Sequence, residues 1–190
     1  MDVHTWIRSD LESVREKLRD SVLSVVPEPR WVEQVDGGGS SIAHLVLHVA
    51  RHHDLAISTA IRDHPPLFDD HRRALGLADA SPAVGLTERE DPAVSSVPSA
   101  ESLTAYLDAV FAATHAWLDD VGTMAFDTVP DTSHRLARKA MLSTDDVGWL
   151  YRMWSDKPVW WFVQWPVVGH GHAHVGEAIS VRNRMGLSPF

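Results

Sequence analysis

Four long stretches of this 190-residue chain repeat apolar residues every three or four positions, and that period commits it to packed helices. From Thr5 to about Val26, the residues Ile7, Leu11, Val14, Leu18, Val22 and Val25 form one stripe, ended by Pro27 and Pro29. Gly37-Gly38-Gly39 leads to Ser40 and Ser41, either of which can cap a second helix running to about Asp63. A third begins at Ser99 or Ser102, buries Leu103, Leu107, Val110, Phe111, Trp117, Leu118 and Val121, and stops at Gly122. The last follows Pro158-Val-Trp-Trp-Phe-Val-Gln-Trp-Pro166 and runs from Val167 to Met185, with Gly186 suited to the left-handed residue beyond its end. Four long helices with short extra ones predict an all-α four-helix bundle, one domain over residues 1–190.

Between the second and third helices, residues 64–98 scatter Pro65, Pro66, Pro82, Pro92 and Pro98 among Asp, Arg, Gly and Ser. This stretch reads as a long loop or solvated insertion with one short helical turn around His71–Leu77, and as a candidate lid or dimer contact. Arg135–Met141 reads as a turn or short strand, and Thr144-Asp145-Asp146 as the start of a further helix.

The formal net charge of -9 leaves no basic surplus to neutralise phosphates, which disfavours nucleic acid and anionic membranes and favours small-molecule partners. No apolar run reaches the roughly 18 residues that span a bilayer. The N-terminus is acidic from its second residue and has no uninterrupted apolar stretch, so no targeting peptide is expected and a cytoplasmic location is. Without cysteine, any transition-metal ligands must be His or carboxylate, and the chain has twelve histidines.

His44, His48 and His52 are spaced by four on the second helix, a ladder bordering its apolar arc; His53 falls near the centre of that arc. On the last helix His170 and His174 share the bearing of Val167, Ala178, Val181 and Met185, while His172 points elsewhere. Two imidazoles at i and i+4 can chelate one ion, and a third is available from the ladder. Gly171 stands where an HExxH motif has its glutamate, so zincin chemistry is not expected. There is no GxSxG, P-loop or GxGxxG.

Ser41-Ile-Ala-His-Leu-Val-Leu-His48-Val-Ala-Arg-His-His-Asp54 resembles the second-helix motif of the DinB-like superfamily. His170-Gly-His-Ala-His174-Val-Gly-Glu177-Ala-Ile-Ser-Val-Arg-Asn-Arg-Met-Gly186 is similar to its last-helix motif. The resemblance covers nearly the whole chain, except 64–98, and departs from the pattern at Ser40, where a tryptophan is common. It implies a four-helix bundle, often a homodimer, with one divalent ion held by His48, His170 and His174; an all-imidazole set suits Zn, Ni or Fe among others and does not select one. Relatives include mycothiol- and bacillithiol-dependent S-transferases, mycothiol-dependent maleylpyruvate isomerase and metal-dependent hydrolases. The isomerase type has a glutamate at the place of His170, which argues against that activity.

Three neutral imidazoles leave an ion an open position for water or substrate. The expected activity is transfer of a low-molecular-weight thiol to an electrophilic small molecule; hydrolysis is the second reading and a non-catalytic ligand-binding bundle the third. His52 is the candidate acid–base residue or outer neighbour of the ion, and Trp161, Trp165 and Arg51 are candidate substrate contacts. Glu177 is expected to pair with Arg182 or Arg184, with orientation of a ligand as its other role. The tryptophan-rich stretch is expected to be mainly core.

Overall fold

A computed structural model describes residues 2–90, 92–96 and 99–189. Met1 and Phe190 of the single expected domain, and Asp91, Val97 and Pro98 of the 64–98 stretch, lie outside the described residues. The helices are α1 (Val3–Leu18), α2 (Ile42–Asp54), α3 (Phe68–His71), α4 (Ala100–Asp120), α5 (Thr132–Lys139), α6 (Thr144–Trp154), α7 (Val159–Phe162) and α8 (His170–Arg182), with no strand among the described residues. Wide π turns extend α1 through Leu23 and α2 through Ile61, and join α7 to α8. The four long helices form the expected bundle: α2 packs on α4 and α8, and α1 packs on the same two from the opposite corner.

Local chemistry sets the boundaries. Asp2, Ser41, Ser99 and Asp131 each accept a backbone N–H in the first turn of the helix that follows. Pro166 lies inside the π turn Val163–Gly169, where a widened ladder absorbs the missing donor and the helix continues to Met185. Arg135–Met141 is not a turn or strand; α5 covers most of it. Asp131 caps this helix, and Arg135 binds the Ala60 and Ile61 carbonyls at the end of the α2 extension, 2.7 and 2.9 Å away.

Every residue of α2 is buried, His44 included. Helices α4 and α8 pack against it, and its histidine face is covered by the segment that reads from sequence as a solvated insertion. Phe68, Leu75, Leu77, Val84, Leu86 and Val94 of this segment are all buried in the common core. Its helical turn falls at Phe68–His71, slightly before the expected position. Asp54 fastens its start to α2 by accepting from the Leu67 and Phe68 backbone at 3.0 and 2.9 Å and from the Tyr106 hydroxyl at 2.8 Å. Glu90 fastens its end, accepting from the Ser41 backbone and hydroxyl at 2.8 and 2.9 Å. The segment is a strap that closes the histidine face of α2.

Candidate metal centre

The strap and the α2/α8 interface bring four imidazoles together. His170 Nε2 lies 3.1 Å from His48 Nε2 and 3.1 Å from His174 Nε2. One ring nitrogen each of His48, His52 and His170 also fall within 4.8 Å of one another, so His52 shares the cluster rather than standing outside it. All four are buried. His44 stacks on His48 from one turn away, and His172 is on the other side of α8, near Lys17 and Asp10. His53 belongs to the core, bonded to the Thr114 hydroxyl at 2.8 Å.

The outward nitrogens decide what the inward ones can do. His48 donates from Nδ1 to the Gly85 carbonyl at 2.8 Å, so its Nε2 carries a lone pair. His174 donates from Nδ1 to Glu177 Oε2 at 2.9 Å, with the same result. His52 has the opposite arrangement, donating from Nε2 to the Leu86 carbonyl at 3.0 Å and leaving its lone pair on Nδ1. Burial, reinforced by the neighbouring imidazoles, pushes His48 down to about 2 and also lowers His170; burial likewise pushes His52 down to about 4. These rings are neutral at neutral pH.

That arrangement fits a cation. His170 Nε2 can give its one proton to His48 or to His174, so in the absence of an ion one of the two 3.1 Å pairs must oppose lone pair to lone pair. A divalent ion among the three converts both contacts into ligand bonds. The spacing suits one, since tetrahedral bonds of about 2.0–2.1 Å put neighbouring nitrogens roughly 3.3 Å apart. Three buried histidines close enough to hold a metal ion, His48, His52 and His170, are therefore present, and His174 adjoins them through His170.

A cavity of about 390 Å³ opens from this cluster, lined by His48, His52 and His170, by Trp149, Met153, Trp154, Trp165 and Pro166, and by Thr87 and Glu88 of the strap. Trp165 is thus at the site. Trp161 is not among the lining residues, because its ring packs on Phe162 at 5.3 Å and faces the Lys157 ammonium at 5.6 Å. Arg51 is not available to substrate either: it is 1% exposed, lies 3.8 Å over the Phe68 ring, and binds the Val84 and Pro82 carbonyls at 3.2 and 2.6 Å.

The tryptophan-rich stretch is only partly core: Trp154 is buried, while Trp160 and Trp165 are exposed. Glu177 pairs with neither Arg182 nor Arg184, which are held by Asn183 and the Ser21 carbonyl and by Asp36 and the Val35 carbonyl. It orients His174 instead. Sequence reasoning missed Trp149 and the strap carbonyls. A glycine between two apolar residues, Val84-Gly85-Leu86, is the one signal in the sequence that the strap approaches another element closely.

A helical bundle that gathers neutral imidazoles from two facing helices at the edge of one apolar cavity defines a class of candidate single-ion metal proteins. The chain belongs to the DinB superfamily, whose family model matches residues 5–178. A crystal structure of a conserved protein of Enterococcus faecalis has a similar fold, with a TM-score of 0.68 over 98% of this chain and 99% of that one, at 20% identity. No match was found among curated proteins. No helix among the described residues is long and apolar enough to cross a membrane.

Proposed function

We propose that this protein is a divalent-metal-dependent enzyme that transfers a low-molecular-weight thiol of the mycothiol type to an apolar electrophilic small molecule. The reading rests on His170 Nε2 lying 3.1 Å from both His48 Nε2 and His174 Nε2, the latter two with their lone pairs fixed inward, beside a tryptophan-walled cavity. His48, His170 and His174 would hold the ion, with zinc, nickel or iron suited to an all-imidazole set. Once bound, it would lower the pKa of a thiol or water and make a nucleophile available at neutral pH.

The side chains supply the rest. His52, whose free lone pair is on Nδ1, accepts a hydrogen bond from the thiol and passes its proton on through the open cavity, since burial keeps this ring a weak base. The sulfur then bonds to the electrophilic carbon of the acceptor, and the leaving group departs with its bonding pair. Trp149, Trp154 and Trp165 exclude water and take the apolar body of the acceptor. Among the described residues no lysine or arginine lines the cavity while Glu88 does, which disfavours an anionic acceptor. The chain has no cysteine, so the sulfur comes from a co-substrate.

The test is zinc-loaded protein mixed with monobromobimane and, in turn, mycothiol, bacillithiol or glutathione. Thiol-dependent adduct formation above the buffer rate, lost in His170→Ala and shifted in pH profile in His52→Gln, is expected. Cleavage of model esters or amides without thiol would replace S-transfer by hydrolysis at the same site. Metal-loaded protein inert to both would overturn the enzymatic reading.

A further inference from the structure

The segment between α3 and α4 does more than cover α2. Four consecutive carbonyls of the strap meet side-chain donors from α2: Val84 with Arg51 at 3.2 Å, Gly85 with His48 at 2.8 Å, Leu86 with His52 at 3.0 Å, and Thr87 with His44 at 3.2 Å. No backbone N–H among the described residues takes these carbonyls in the turns of the strap itself, so the α2 side chains satisfy them. Every rung of the ladder thus has its own backbone acceptor.

We infer that the strap from Pro82 to Glu90 is part of the imidazole site, its carbonyls setting opposite tautomers on His48 and His52, with Gly85 as the positioning residue that lets it approach. His48 is protonated on Nδ1 and presents Nε2; His52, one turn on, is protonated on Nε2 and presents Nδ1. Two histidines of one ladder therefore offer different nitrogens to one centre, which no spacing on the helix alone imposes.

Gly85 makes this contact possible. Its φ is +73°, and a Cβ there would lie 3.0 Å from Leu47 Cγ and Cδ2 and 3.4 Å from Arg51 Cγ. A Cβ at this φ is strained, and Leu47 or the strap must give by a few tenths of an ångström at the carbonyl that holds His48. The same stretch of backbone carries Thr87 and Glu88 into the cavity lining, so one element orients the imidazoles and forms a wall of the pocket.

The tautomers are read in the metal-free wild-type protein by two-bond proton–nitrogen correlation of the histidine rings. His48 protonated on Nδ1 and His52 on Nε2 are expected; both rings protonated on the same nitrogen would overturn the inference. This measurement does not depend on the metal reading, and it stands if the protein binds no ion.

The second arm rests on that reading. Gly85→Ala is expected to lower zinc affinity about tenfold to a hundredfold, the range for loss of a partner behind a ligand. Gly76→Ala is the control, because it imposes similar strain at φ +69° in the same segment but outside the Pro82–Glu90 stretch. Adding Leu47→Ala to Gly85→Ala removes the blocking atoms and is expected to restore part of the affinity. Zinc binding in Gly85→Ala equal to that of Gly76→Ala overturns the positioning role. If Gly85→Ala does not fold, the pair with Leu47→Ala and the wild-type tautomers decide the matter.

Discussion

Acid should dismantle the metal-free protein well before it protonates most carboxylates. His48, His52 and His53 have folded pKa values lowered from 6.5 to about 2, 4 and 3, burial being the main cause in each. In the unfolded chain they take up protons near 6.5, so the unfolded state binds more protons throughout the window between. Stability is therefore fully present above 6.5 and is lost as pH falls towards the folded values. Below 6.5 each such histidine costs about 1.4 kcal/mol per pH unit, or about 2 kcal/mol between roughly pH 7 and pH 5. Three of them cost roughly 6 kcal/mol, and His170, which burial lowers in the same way, adds to the loss, against a typical domain stability of about 5–15 kcal/mol. Urea unfolding of chelator-treated protein across this range is the assay. A large fall in the midpoint is expected, with about a quarter of it removed in His53→Gln, one of four such histidines and the one whose ring lies outside the cluster. A midpoint unchanged down to about pH 5 would refute the claim that these rings are buried and neutral.

Two further outcomes follow from single contacts. Glu177→Ala frees His174 Nδ1 and is expected to weaken zinc binding about tenfold to a hundredfold with little change in unfolding free energy, measured by competition with a chromophoric chelator. Gly171→Ala places a Cβ 2.9 Å from Val14 Cγ1, where α8 meets α1, and should cost about 1–3 kcal/mol in urea unfolding; adding Val14→Ala should recover part of it.

The bundle was legible because helix periodicity is carried by the buried side chains themselves: the stripes read for α1 and α4 are largely the residues that form their cores. The inward direction of His170 and His174 followed from the same geometry, since residues four apart share a face. The strap was not legible, because its work is done by backbone carbonyls, which every residue has and no side-chain pattern announces. Arg51 was misread for that reason: its charge suggested a ligand, but the carbonyls that bind it come from a segment whose path the sequence does not reveal. Glu177 and its neighbours show a different limit. Spacing allowed it either His174 or an arginine, and the choice was made by Ser21, Asn183 and Asp36, which hold both arginines elsewhere. His52 was visible on the ladder, but the nitrogen it offers depends on the Leu86 carbonyl.

Whether His48, His170 and His174 together hold one divalent ion is read by zinc or cobalt titration with elemental analysis of the washed protein. One ion per chain is expected in the wild type, and its loss in His170→Ala and His174→Ala variants that remain folded. Wild-type protein that retains no ion, or variants that retain a full equivalent, would contradict it.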